Sequence, residues 1–570
     1  MFSQKRARML RQAEDHQFDL AVIGGGITGA GVAREATLAG MQAIVLDKGD
    51  FGGGTSSRST KIFHGGLRYL EHLELGLVRD SGRERERMTH LGGHLVHPLP
   101  MVLPVYHNSR YGLRTMSMAV WLYDWLARVN PGDKRHVLST RALLRREPLL
   151  SSEGLVGGIL YHEYQTDDAR TTLTVMRAAI RGGAMAINYT RIVDFIYEQG
   201  RITGVVAEDQ EDPSHPRYRI RSQFVVNAAG PWAEDVLRRD QTAEVNQILQ
   251  HSRGIHIVVP LSRLPLQHAW SIPTVDGRLV FVIPRGEAVY LGTTDTAYRG
   301  DFDHPPIPEE EVQYLLSVVN THFPMAGLTP TDIIGQWSGV RPLIRQPGRH
   351  GTQDISRRDQ IWVAPSGLIT VAGGKLTAWR KMGEDVMRVL YREVAKKPLG
   401  VRLLPFSQYR RQSCTVPLPG TPMGQDSLAW VTEEAERIAS HFRIAEADAM
   451  TLVSRYGTEA GQVLDRGGAE GAKRLIPGLP LFQGELPYFL TEEMAVHLAD
   501  IIVRRTGFGW FHAPKARRGL VTLGTLVGQW AQWDPARVER EVEQCAQEAY
   551  WTERGLGTLW DMVGTQSKSG

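Results

Sequence analysis

The stretch Asp19–Thr60, DLAVIGGGITGAGVAREATLAGMQAIVLDKGDFGGGTSSRST, constrains the fold more than any other part of the 570-residue chain. An apolar run, Leu20 to Ile23, enters Gly24-Gly25-Gly26-Ile27-Thr28-Gly29 and then a helical pattern with Ala33, Ala36 and Ala39 on one face. The spacing predicts strand, tight turn and helix. Gly24 permits the turn, Gly26 lets backbone approach a pyrophosphate, Gly29 lets helix and strand pack closely, and the helix N-terminus supplies N–H donors and positive dipole. A second apolar run, Ala43 to Leu46, ends at Asp47, whose carboxylate can accept hydrogen bonds from both hydroxyls of an adenosine ribose and would repel a 2′-phosphate. A dinucleotide is therefore expected near the N-terminus, in an α/β, Rossmann-like domain.

The rest of the chain sets outer bounds. Its length exceeds what one hydrophobic core supports, so two or three domains are expected. A net charge of +4 is too small to argue for nucleic acid. Cys414 and Cys545 are far apart and lie in no metal-ligand spacing, which points to a reducing cytoplasm with neither disulfide scaffold nor metal. No apolar run reaches 18 residues, so no membrane span is expected. The basic cluster Lys5, Arg6, Arg8 and Arg11 reads as a solvated, frayed terminus, with anionic lipid as the alternative contact. Met116–Val129, MSMAVWLYDWLARV, reads as a buried helix before an interfacial one, and the charges from Gly76 to His90 as a solvated helix face.

Further glycine-rich stretches converge on the first. Thr55-Ser56-Ser57-Arg58-Ser59-Thr60-Lys61 and Ile62-Phe63-His64-Gly65-Gly66-Leu67-Arg68-Tyr69-Leu70-Glu71 are dense in small and hydroxyl residues that let backbone lie against a ligand. The acid-led start at Thr166–Arg170 predicts a helix, and Ala184–Glu208 a hairpin turning at Gln199-Gly200. Phe224–Asn227 predicts a buried strand whose carboxyl end, Ala228, Ala229 and Gly230, meets the same cofactor. Gln247–Asp295 predicts an antiparallel sheet, and Leu368–Val371 a strand leading through Gly373-Gly374-Lys375-Leu376-Thr377 into a helix. The proline- and glycine-rich segment 401–425 reads as a linker and 426–563 as a helical domain.

Three blocks together, the Asp19–Asp47 fingerprint, TSSRSTK with HGGLRYLE, and Gly373–Thr377, closely resemble the FAD-dependent, quinone-linked glycerol-3-phosphate dehydrogenases. Gly292-Thr293-Thr294-Asp295 and Ser338-Gly339-Val340-Arg341-Pro342-Leu343 match as well. The chain departs from that family at Asp47, where Glu is usual, and in the short segment between Arg345 and Ile355, which loosens the alignment of Arg357. The resemblance implies an FAD-binding domain of the glutathione-reductase and D-amino-acid-oxidase type, assembled from 17–100, 151–245 and 355–400. It also implies a sheet-rich substrate domain, 101–150 and 246–354, and a helical cap. FAD would lie against Gly24, Gly25, Gly26, Thr28, Gly29 and Asp47. Further contacts would come from Thr55, Ser56, Ser57, Ser59, His64, Gly65, Gly66, Leu67, Ala229, Gly230, Gly373, Gly374, Lys375, Leu376 and Thr377.

The implied reaction is oxidation of sn-glycerol 3-phosphate to dihydroxyacetone phosphate, with hydride to FAD and electrons onward to a membrane quinone. No second nucleotide fingerprint follows a strand, so the organic substrate must itself reduce the flavin. Such chemistry needs a base and cationic phosphate ligands. His64 is the expected base and His256 the runner-up; Arg341 and Arg357 are expected on the phosphate, with Lys375 and Arg68 orienting the substrate. Two competing readings remain, an oxidase that releases peroxide and a non-catalytic FAD-fold binding protein. Peripheral contact with an anionic inner membrane surface is expected through the basic N-terminus or Phe508-Gly509-Trp510-Phe511, and a homodimer is one assembly open to the chain.

Overall fold

The computed structural model describes residues 2–66, 74–129, 131–243, 247–274, 277–345, 359–396, 400–423 and 427–551. Strand Gln17–Ile23 pairs in parallel with Ala43–Leu46 on one side and Arg217–Asn227 on the other. Met185–Ile187 and Ile369–Ala372 extend the sheet at its two ends, and Gln360–Val363 closes one edge antiparallel. These strands are buried on both faces, which explains their continuous apolar runs LAVI, AIVL and ITVA. Helix Ile27–Leu38 crosses helix Trp379–Lys396 closely, because a Cβ at Gly31 would come within 2.9 Å of Trp379 O. The hairpin Thr190–Glu198 and Arg201–Asp209 continues the N-terminal half of Arg217–Asn227 antiparallel, and turns at Gln199-Gly200 with both residues at positive φ.

A second, ten-stranded sheet is centred on Leu249–Pro260, Ala288–Gly292, Leu279–Arg285 and Ala269–Pro273. Its residues alternate between two cores. Ile257, Val259 and Leu291 face helix Glu309–His322, whereas Val258, Tyr290 and Trp337 face the C-terminal helices. Strands Ile62–Phe63 and Leu155–Thr166, expected with the nucleotide-binding segments, pair instead into this sheet beside Val96–Tyr106. Strand Leu155–Thr166 is buried on both faces, with Ile159 and Tyr161 in the core under the C-terminal helices and Leu155 and Leu160 in the core under helix Glu309–His322. The C-terminal part is helical as expected, from Ser427–Phe442 to Pro535–Glu548, and the expected linker contains a helix of its own, Phe406–Thr415.

Four surface expectations need correction. Residues Phe2–Glu14 form a docked helix, in which Arg6 is 1% exposed and donates to Asp209 Oδ1 at 3.0 Å. Helix Leu75–Leu91 buries Glu84 and Arg85, which pair with Arg380 and Glu163. The aromatic helix Leu113–Leu126 is buried on one face only, at Val120 and Tyr123, while Met118, Trp121 and Trp125 are 70%, 55% and 68% exposed. Conversely Phe508, Trp510 and Phe511 lie in the core, out of reach of a membrane. Among the described residues no helix is long and apolar enough to cross a membrane.

Candidate active site

The carboxyl ends of the parallel strands open into a cavity of about 340 Å³, bounded by Ile23, Leu46, Ala228 and Ala372, the last residue or next residue of four neighbouring strands. Gly24 has φ +103°, and a Cβ there would lie 2.7 Å from Ala228 O; at Gly29 a Cβ would lie 1.8 Å from Gly24 O. Turn and helix can approach only with glycine at both places. Gly26, Thr28, Ala229 and Gly230 line the cavity, while Gly25 and Gly29 support it from behind. Asp47 accepts from Gly25 N at 2.6 Å and from Gly49 N at 2.8 Å. Burial outweighs these bonds and raises its carboxyl to about 6.

The Thr55–Lys61 loop is held by bonds of its own. Ser56 Oγ accepts from Ile27 N at 2.9 Å, Thr55 Oγ1 donates to Val340 O at 2.6 Å, and Ser59 N and Oγ both donate to Asp168 Oδ2. Lys61 Nζ completes the cluster on Asp168 Oδ1 at 2.5 Å. Thr55, Ser56 and Ser59 line the cavity, whereas Ser57 is buried outside it. Asp168 also lines it. Sequence reasoning recognised this residue only as a helix start, because its partners lie more than a hundred positions away.

A second cavity, of about 260 Å³, lies between the two sheets and shares Gly373, Gly374, Lys375 and Leu376 with the first. His64, Gly66, His256, Arg341 and Thr377 line it. Arg341 is held ready: Nη2 donates to Thr293 Oγ1 at 2.8 Å, Nη1 donates to Thr294 O at 3.2 Å, and Asp295 Oδ1 lies 3.6 Å from Nη1. His256 stacks on Trp337 at 4.7 Å, with Nε2 3.1 Å from Thr60 Oγ1 and its buried Nδ1 without a hydrogen-bond partner among the described residues. Burial, followed by the charges of Arg341 and Lys61, pushes its pKa far below 6.5, so the ring is neutral. The runner-up base is thus a buried residue in the wall of the second cavity.

Behind His64, the amide of Gly65 donates to Glu163 Oε2 at 3.2 Å, and Glu163 also accepts from Arg85 at 2.6 Å and Tyr123 at 2.7 Å. Glu163 and Arg278 line the second cavity. Neither was anticipated; a lone acid in the strand LVGGILYHEYQT was the available signal for Glu163. Leu67, Arg68 and Arg357 lie outside the described residues.

A nucleotide groove at strand ends, opening into a buried pocket with cations and neutral imidazole, defines a dinucleotide-dependent oxidoreductase. Residues 19–380 match the FAD dependent oxidoreductase family, and residues 412–538 match the C-terminal domain of alpha-glycerophosphate oxidase. The chain is 38% identical over 550 residues to the aerobic glycerol-3-phosphate dehydrogenase of Bacillus subtilis (strain 168), covering 95% of this chain and 96% of that one. It is 37% identical over 551 residues to that of Staphylococcus aureus (strain MRSA252), covering 96% and 97%. The crystal structure of glycerol-3-phosphate dehydrogenase from Bacillus halodurans complexed with FAD superposes with a TM-score of 0.79 at 32% identity, over 96% of this chain and 98% of that one. The chain belongs to the FAD-dependent glycerol-3-phosphate dehydrogenase family. Its cofactor is FAD, and the glycine cradle, the helix N-terminus that lines the cavity at Gly26, Ile27 and Thr28, and Asp47 fit the adenosine and pyrophosphate half.

Proposed function

We propose that the protein oxidises sn-glycerol 3-phosphate to dihydroxyacetone phosphate and passes the electrons to a membrane quinone. The observation that carries this reading is the junction of the two cavities at Gly373–Leu376, where a nucleotide groove meets a pocket holding Arg341, Lys375 and two histidines. FAD, when bound, supplies the hydride acceptor. The chain supplies the rest. Arg341 presents a planar fork to the phosphate dianion, already oriented by Thr293, Thr294 and Asp295. Lys375 stands at the junction, where it orients the carbinol toward the flavin. His64 takes the hydroxyl proton. The Nδ1 of His256, without a hydrogen-bond partner among the described residues, supports a second reading, in which the proton goes there.

Anaerobic mixing with sn-glycerol 3-phosphate should bleach the bound flavin, and added quinone should restore the yellow form with little peroxide. No bleaching would overturn the reading, and stoichiometric peroxide without need of quinone would favour an oxidase. His64→Asn should slow the bleaching by roughly a hundredfold or more, the range of a lost general base, with FAD still bound. If His256→Asn shows the large effect instead, His256 is the base.

Access to the quinone requires contact with the inner membrane surface, and helix Leu113–Leu126 supports that contact. Met118, Trp121 and Trp125 form one exposed stripe continued by the exposed Arg114 and Arg128, an aromatic and basic combination suited to the headgroup boundary.

A further inference from the structure

The C-terminal domain holds none of the residues discussed so far for cofactor or substrate, yet Arg504 and Glu548 form part of the wall of the nucleotide cavity. Beside them, immediately after the ribose-facing Asp47, the chain turns through Lys48, Gly49, Asp50 and Phe51. Asp50 is 3% exposed, and two consecutive arginines of the C-terminal domain span its carboxylate. Arg504 Nε donates to Oδ2 at 2.6 Å, Arg505 Nη2 donates to Oδ1 at 3.0 Å, and Arg505 Nη1 donates to Oδ2. Asn188 Nδ2 adds a bond of 3.2 Å to Oδ1. Adjacent residues on a regular helix do not face one partner. Here Arg504 and Arg505 lie at the end of a π-helical turn, Asp500–Arg505, whose extra residue per turn brings them onto one carboxylate. Each has a further anchor: Arg504 donates to Asp500 and, at 2.7 Å, to Glu548, and Arg505 donates to Glu493 O at 2.5 Å.

Buried ion pairs are a poor device for stability alone, because desolvation consumes most of the attraction. The position of this one is informative. The loop that Asp50 anchors is the wall of the ribose site: Gly49 N donates to Asp47 Oδ1 at 2.8 Å, Gly52 N donates to Gly25 O at 3.0 Å, and Gly53 N donates to Asp50 O at 3.0 Å. Phe51 fills the space beside Gly25, where a Cβ would lie 2.4 Å from its ring.

We propose that the C-terminal helical domain is a working part of the FAD site, in which Arg504 and Arg505 clamp Asp50 and so position the Asp47–Gly54 loop against the adenosine half of the cofactor. Asp50, Arg504 and Arg505 are positioning residues, and the proposal rests on the FAD reading above. The test is calorimetric titration of the apoprotein of the full chain with FAD, ADP and FMN. Asp50→Asn should raise the dissociation constants of FAD and ADP by roughly tenfold or more, the scale of a lost charge-assisted bond, and leave that of FMN unchanged. Arg177→Gln is the control. It removes a 2.6 Å ion pair to Glu459 that also joins the two parts of the chain but lines neither cavity, so it should lower stability without moving ADP affinity. If Asp50→Asn does not fold, Glu548→Gln, whose side chain is 28% exposed at the cavity edge, should weaken ADP in the same sense. Wild-type ADP affinity in the Asp50 or Glu548 variant, or an equal loss in Arg177→Gln, would overturn the proposal. Failure of the wild-type apoprotein to bind FAD would overturn the flavin reading as well.

Discussion

Asp47 and Arg341 show how far single residues could be read in advance. Their places in the two cavity walls were legible, because each lies at a fixed offset within a short motif: a strand end after a glycine turn, and Gly339-Val340-Arg341-Pro342. Their surroundings were not. Burial lifts the Asp47 carboxyl to about 6, so above that pH it is an anion able to accept from ribose hydroxyls and below it a neutral acid with one acceptor fewer. FAD affinity should therefore hold from about pH 8 to about pH 7 and fall as the pH passes through about 6. Asp47→Asn should bind more weakly at neutral pH with a flattened profile, as measured by FAD titration of the apoprotein; a profile as steep as wild type would exclude this carboxyl. For Arg341 the bonds to Thr293 and Thr294 fix the plane of the guanidinium, and a lysine cannot reproduce that fork. Arg341→Lys should raise KM for glycerol 3-phosphate by roughly tenfold or more, and barely change it for glycerol. Equal effects on both alcohols would remove the phosphate from this side chain.

At the scale of the element, periodicity identified strands and helices well but not always which face is covered. Helix Leu113–Leu126 carries two apolar stripes, one of Met116, Val120 and Tyr123 running on to Ala127, and one of Met118, Trp121 and Trp125. Both repeat at three and four, and either could have faced the core. The first does, because Tyr123 donates to Glu163 at 2.7 Å behind the His64 loop, and the second is left in water. The converse holds for Phe508, Trp510 and Phe511, whose aromatic content resembled a membrane anchor but which are buried, Trp510 and Phe511 against Trp337 and Phe508 beside His512 and Arg455. Burying Met118, Trp121 and Trp125 at about 1.5–3 kcal/mol each would give roughly 5–9 kcal/mol at most, a binding that is reversible and is helped by charge. Trp121→Glu combined with Trp125→Glu should abolish co-sedimentation with anionic vesicles and slow electron transfer to membrane quinone. Flavin bleaching by substrate in solution should be unchanged. Vesicle binding equal to wild type would show that another surface makes the contact.

At the scale of the whole molecule, the C-terminal helices are tied to both sheets by contacts between residues hundreds of positions apart, which no local pattern announces. Trp510 stacks on Trp337 at 5.1 Å, and Trp337 in turn on His256, so this domain reaches the second cavity through aromatic rings. His497 makes a second tie. Its Nε2 lies 2.9 Å from Glu211, beyond the hairpin of the nucleotide-binding part, and its Nδ1 lies 2.8 Å from Glu541 of helix Pro535–Glu548. Burial opposes a charge on the ring, but the bonds to Glu211 and Glu541 and the field of Asp500 outweigh it and raise the pKa to about 11. The folded protein therefore holds this proton far more tightly than the unfolded chain, whose histidine titrates near 6.5. The resulting stabilisation is complete below about pH 6.5 and declines steadily as the pH climbs toward about 11, where the folded state also loses the proton. His497→Gln removes the titration and leaves Arg537, 3.5 Å from each carboxylate, as the cation the two still share. The drop in melting temperature between wild type and variant should be largest near pH 6 and shrink toward about pH 10. A drop that stays constant across that range would mean that the ring acts by packing alone, and that the tie between the two parts of the chain does not depend on its charge.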